Sequence, residues 1–119
     1  MAMAIINGKD RDQVSTDEFA DYMTERFLEA HSCGGSKPVF DKAKELLGTL
    51  IQIMFERGEC KRTDFPMAVW EGMFFRATTL VMTGYAANRK AGIRDAVQQM
   101  IDGLAKLPAP GPDPYYYLD

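Results

Sequence analysis

The segment from Phe65 to Ala87, FPMAVWEGMFFRATTLVMTGYAA, is the longest apolar-rich run of the chain and holds the only tryptophan. If the segment is helical, an advance of about 100° per residue sorts its apolar side chains onto two surfaces. The wider surface, a band about 160° across, consists of Val69, Trp70, Met73, Phe74, Ala77, Leu80, Val81, Gly84 and Tyr85. A helix that is apolar on two sides packs between neighbours or inside an oligomer, so we expect two contact faces here.

The narrower surface, which we call the seam, consists of Ala68, Gly72, Phe75, Thr79 and Met82. Ala68, Phe75 and Met82 recur at heptad spacing, which places them in one line along a helix. Two interpretations are consistent with this pattern. Either the first helix or the N-terminal arm covers the seam within one chain, or the seam meets a second copy or another protein. Monomers seldom expose an apolar patch of this size.

Two helices are predicted before this segment. The first spans Thr16 to His31, because Ser15 followed by Glu18 forms a capping box. Two glycines end it. The second spans Lys37 to Arg57, with Ser36 as the expected N-cap.

The central segment forms the third predicted helix, with Thr63 or Asp64 as its N-cap. A short basic stretch from Asn88 to Gly92 is the predicted break before a fourth helix over Ala91–Lys106. Pro108 ends that helix, because proline lacks the backbone N–H that a helix interior requires.

These patterns predict an all-α protein, an irregular antiparallel bundle of four main helices with helices 2 and 3 at its centre. Residues 1–14 are expected to form a flexible N-terminal arm, residues 15–107 a single bundle domain, and residues 108–119 an extended, Pro-rich, Tyr-ended tail. The predicted core consists of Phe19, Met23, Phe27, Leu46, Leu47, Leu50, Met54, Trp70, Met73, Phe74, Leu80, Val81, Val97, Ile101 and Leu104.

The charge balance limits the range of partners. The net charge of −3 argues against a general nucleic-acid binder, because neutralising phosphates requires clustered Lys and Arg. The basic residues Lys61 and Arg62 open the third helix, whereas Arg89 and Lys90 lie at its far end. Glu71 interrupts the apolar run, so we expect that run to be buried in protein rather than in a membrane, and the protein to be cytoplasmic.

Catalytic and metal-binding patterns are missing from the sequence. Cys33 and Cys60 fit no CxxC spacing, and together with His31 they supply fewer than the four ligands that zinc takes. The cysteines are expected to be structural thiols, although the sequence leaves a disulfide between them open. No cofactor, no metal and no catalytic residue is therefore predicted.

The junction between the first two helices is a candidate anion-binding site, formed by Arg26, Gly34, Gly35, Ser36 and Lys37. Glycines before a helix N-terminus expose backbone N–H groups, and the helix dipole favours an anion there. A simple C-cap followed by an N-cap accounts for the same residues and remains the alternative.

The tail ends in Tyr115, Tyr116 and Tyr117, which are candidate interface residues because tyrosine is a common interface anchor. Together with the seam, these residues favour a non-enzymatic protein–protein interaction or regulatory, inhibitor-like protein that acts as a homodimer. The alternative function is a small-molecule or anion-binding helical domain that uses the helix 1–helix 2 junction. The third is a helical nucleic-acid-binding protein. The partner's identity does not follow from the sequence.

Overall fold

The structure is a computed structural model that describes residues 5–6, 8–10 and 13–109. Its elements are two short strands, β1 (Ile5–Ile6) and β2 (Lys9–Asp10), and three helices, α1 (Thr16–Gly34), α2 (Ser36–Glu56) and α3 (Met67–Lys106). The described chain is mostly helical and compact, so the all-α fold class is confirmed.

The N-terminal strands pair antiparallel, with Ile5 opposite Asp10, and Gly8 lies between them with a φ of +79°. Val14 is part of the hydrophobic core, at 1% exposure. The Nη2 atom of Arg57 donates a hydrogen bond to the Val14 carbonyl oxygen at 2.6 Å. This bond links Val14 to the end of α2. The arm expected over residues 1–14 therefore contains a strand pair and ends in a buried residue.

The start of α1 is the predicted capping box. The Ser15 hydroxyl accepts a hydrogen bond from the Glu18 backbone N–H at 3.0 Å, and the Glu18 carboxylate accepts one from the Ser15 N–H. Gly35, with a φ of +81°, is the single residue between α1 and α2. It is also the N-cap of α2. The prediction of Ser36 as N-cap is wrong, because the turn is so short that Ser36 is already helical.

The start of α3 also differs from the prediction. Pro66 is the N-cap and Met67 the first helical residue, so neither Thr63 nor Asp64 caps this helix. The two residues belong instead to the connection that follows α2. In that connection the Arg62 side chain is buried and donates to the Asp64 carbonyl oxygen at 3.0 Å from Nε. Asp64 thus stabilises the loop through its carbonyl oxygen and does not cap α3.

Helical structure runs through the 40 residues of α3 with an irregularity at only two of them, so four separate helices are not confirmed. Its backbone is nevertheless non-helical at Asn88 (φ −155°, ψ 34°) and Arg89 (φ 49°, ψ −128°), inside the predicted break. A straight helix of this length would measure about 60 Å, whereas the longest extent of the molecule is 42 Å. The chain therefore reverses at these two residues, and we refer to residues 67–87 and 90–106 as the first and second segments of α3.

The core lies between α1, α2 and the second segment of α3. That segment buries Ile93, Val97 and Leu104, among others, whereas the first segment buries Ala77 and Val81. The prediction that helix 3 shares the centre with helix 2 is therefore wrong for the first segment. Of the predicted core, Trp70, Met73, Phe74 and Leu80 are partly buried and the remaining members are buried. The first segment packs onto the core through a narrow stripe and leaves much of its apolar band near the surface.

Candidate interaction surface

The seam lies on the outside of the first segment of α3. Ala68, Gly72, Phe75 and Thr79 are exposed, and Met82 is partly buried. The Phe75 side chain is 62% exposed, a large fraction for a phenylalanine. No described element covers the seam, so its burial within the chain receives no support from the described residues.

Helix geometry explains why the seam faces outward. Ala77 and Val81, the buried residues of this segment, lie one turn apart and form its contact stripe. Phe75 precedes Ala77 by two positions, which rotates the phenyl ring about 200° away from that stripe. Burying Ala77 and Val81 therefore directs the seam to the opposite side.

The exposed apolar surface continues from α3 onto α2. The Phe40 ring lies 4.8 Å from the Phe75 ring between centroids, and the Lys44 ammonium lies 5.7 Å from the centre of the Phe40 ring. Met67, at the start of α3, is 70% exposed. The sequence pattern did not associate Phe40 with the seam. Only the packing of α2 against α3 brings Phe40 and Phe75 together.

The predicted anion-binding residues do not meet at one point. Lys37 donates hydrogen bonds to the Asp41 carboxylate at 2.8 and 2.9 Å, and this bonding holds the pKa of Asp41 below its usual value. Arg26 pairs with Glu29 at 2.8 Å and lies over the Tyr22 ring. Because Arg26 precedes Gly34 by eight helical positions, about 12 Å separates them along the axis of α1. Gly34, Gly35 and Ser36 form the tight turn itself.

The basic residues near the bend of α3 are matched by acidic residues of α1. Lys90 forms an ion pair with Glu25, and Arg94 donates to Asp21 at 3.0 Å. At the other end of the first segment, Arg62 is buried within its loop, as described above. Lys90, Arg94 and Arg62 thus stabilise contacts within the chain and do not form one positive surface.

Both cysteines are free thiols: Cys33 is exposed, and Cys60 is buried with its Sγ 3.1 Å from the Arg62 carbonyl oxygen. The His31 ring stacks on Tyr85 at 3.9 Å between centroids. Within residues 5–6, 8–10 and 13–109, no group of three or more His, Cys, Asp or Glu side chains is placed to hold a metal ion. Over the same ranges, no helix has the length and apolarity needed to cross a membrane. The predicted interface tyrosines, Tyr115, Tyr116 and Tyr117, lie outside the described residues.

Comparisons with protein families, curated proteins and solved structures found no match. Function is therefore inferred from the surface and packing of this chain alone.

Proposed function

We propose that this chain is a non-enzymatic protein–protein interaction or regulatory protein that acts as a homodimer through the seam. The observation that carries this proposal is the exposure of Phe75 at the centre of the seam. Fully burying a phenylalanine side chain contributes about 1.5–3 kcal/mol, a gain that the single chain realises only in part because Phe75 is 62% exposed. A large exposed apolar patch of this kind is typical of a contact site.

A second copy of the chain suits the seam because the surface carries both a projection and a depression. Phe75 projects, whereas Gly72 and Ala68, one and two turns earlier, have almost no side chain. A two-fold axis brings the same patch of both copies together, so such an interface needs both features on one patch. A standard interface buries about 800 Å² on each partner, which one helix stripe cannot supply. Met67 and Phe40 extend the apolar surface beside it.

The alternative functions receive less support. Anion binding at the helix junction is favoured by the start of α2, which lacks a side-chain cap. However, Lys37 and Arg26 each pair with a carboxylate, and the two residues lie apart from each other. For nucleic-acid binding, Lys90 and Arg94 pair with acidic residues of α1. An exposed, unpaired apolar surface therefore favours a protein partner over an anion.

The test is the solution mass of the wild type, Phe75→Asp and Phe55→Asp, measured by size exclusion with light scattering. Phe55 is a matched control because it is also an exposed phenylalanine, at 45%, but lies in α2 outside the seam. We expect a dimeric wild type, a folded monomer for Phe75→Asp and a dimer for Phe55→Asp. A wild type that is monomeric at every concentration would contradict the homodimer.

A further inference from the structure

A pocket of about 280 Å³ opens between α2 and the two segments of α3. Its wall is mostly apolar and includes Leu47 from α2, Met73 and Leu80 from the first segment, and Met100 and Leu104 from the second. Met73 and Leu80 belong to the wide apolar band whose burial the sequence predicts. The pocket is the reason that they remain partly exposed.

One cation lines this apolar wall. Of the described residues that form the pocket, Arg76 is the only charged one, and its side chain is exposed. None of the ion pairs among the described residues involves Arg76. An arginine stem can lie along apolar surface while its guanidinium stays in water, so Arg76 can reach a group at the pocket mouth.

We propose that the pocket binds a straight-chain aliphatic carboxylate of about ten carbons, with the chain among the apolar residues and the carboxylate on Arg76. The size follows from volume, since a cavity of about 150 Å³ accommodates benzene with its six carbons. A pocket of about 280 Å³ then accommodates roughly twelve non-hydrogen atoms, which is the size of decanoate. Arginine binds carboxylates through two parallel hydrogen bonds.

The chemistry of the lining selects this class of ligand. Met73 and Met100 are flexible and polarisable, so they adapt to an aliphatic chain without a fixed shape. A cationic head group would be repelled by Arg76. A neutral one would forgo the charge-assisted hydrogen bonds that a carboxylate forms with a guanidinium.

The pocket and the seam lie on different sides of the first segment of α3. Met73 and Leu80 are rotated about 140–160° from Phe75 around the helix axis. Ligand binding therefore does not depend on the dimer proposed above, and the folded Phe75→Asp variant is expected to bind decanoate like the wild type.

Calorimetric titration of the full chain with decanoate tests the proposal. Trp70 gives a second signal, because the only tryptophan packs edge-to-face on Phe65, which lines the pocket, at 5.4 Å between centroids. We expect saturable binding of decanoate. Octanoate should bind about 15-fold more weakly, because each buried methylene contributes about fourfold in affinity. Arg76→Gln should weaken decanoate about tenfold and leave the neutral decanol unchanged.

Two glycine variants locate the ligand. Gly103 lines the pocket, and an added Cβ there meets nothing within 4 Å, so Gly103→Leu adds a bulky side chain at the pocket wall without a clash of its Cβ. Gly48→Leu is the matched control on α2, where an added Cβ also meets nothing within 4 Å. Loss of binding in Gly103→Leu but not in Gly48→Leu is the expected result. Absence of saturable binding to the wild type, or binding that survives Gly103→Leu, would overturn the proposal.

Discussion

Gly84 and Gly92 face each other across the bend of α3, and neither position has room for a side chain. A Cβ built on Gly84 would overlap the carbonyl oxygen of Gly92, and a Cβ on Gly92 would overlap that of Gly84. In a straight helix these residues would lie about 12 Å apart along the axis. Their contact is therefore direct evidence that the second segment folds back on the first, and it fixes the closeness of that approach.

Replacement of either of these glycines by alanine should destabilise the fold. We expect Gly84→Ala and Gly92→Ala each to lower the free energy of unfolding by about 3 kcal/mol, because backbone has to shift to admit the methyl group. Gly48→Ala is the control: it lies in an exposed helical position with open space, and should raise the free energy of unfolding by up to about 1 kcal/mol. Urea unfolding curves of the three variants measure this difference. Equal effects at all three positions would contradict the close approach.

The position of the core predicts a contrast between two leucines. Leu50, at 0% exposure, lies in the centre, whereas Leu80 lines the pocket and is partly exposed. Leu50→Ala should cost about 3–5 kcal/mol of unfolding free energy, and Leu80→Ala less than half of that value because the pocket already leaves part of the leucine unpacked. Chemical denaturation of both variants compares them directly. A larger loss of unfolding free energy for Leu80→Ala than for Leu50→Ala would indicate that the first segment of α3 belongs to the centre of the core.

The two serines at helix starts should respond differently to the same substitution. Ser15 is an N-cap whose hydroxyl accepts from the Glu18 N–H, so Ser15→Ala should lower the free energy of unfolding by about 1 kcal/mol. Ser36 is exposed and is the first residue of α2, after the N-cap Gly35, so Ser36→Ala should be close to neutral. Thermal unfolding of both variants checks the assignment. If Ser36→Ala lowers the free energy of unfolding as much as Ser15→Ala does, Ser36 is the N-cap of α2 after all.

Glu18 should make stability depend on pH in the acidic range. Its hydrogen bond with Lys9, at 2.9 Å, together with that from the Ser15 backbone, holds the pKa of Glu18 below its usual value. A carboxylate with a lowered pKa stabilises the fold above its unfolded-state pKa, about 4.3. That contribution is lost as the pH falls through the lower, folded-state value.

Glu18→Gln isolates this charge effect because glutamine also completes a capping box. The variant should be less stable than the wild type at neutral pH and equal to it in strong acid, as measured by thermal unfolding across the pH range. High salt should reduce the difference at neutral pH, since the pair with Lys9 is exposed to solvent. A difference that is the same at every pH would exclude the charge as its cause.

Sequence alone determined the helical segments and some of their ends. The capping box at Ser15, the glycine turn after α1 and the break at Asn88–Arg89 depend on interactions between residues that are neighbours along the chain, and such interactions are visible in local patterns. The same patterns showed that the segment after Phe65 has two apolar surfaces. These patterns contained no information about which of the two surfaces would pack against the core.

Only the tertiary structure decided that question. The reversal of α3, held close by Gly84 and Gly92, sends the second segment into the core beside α1 and α2. The first segment then contacts the core through Ala77 and Val81, while Phe75 stays outside. Periodicity defines the faces of a helix, but the direction in which the chain leaves a turn decides which face is covered. That direction depends on contacts between residues distant in sequence, and for this reason the exposed seam and the pocket beside Arg76 emerge only in three dimensions.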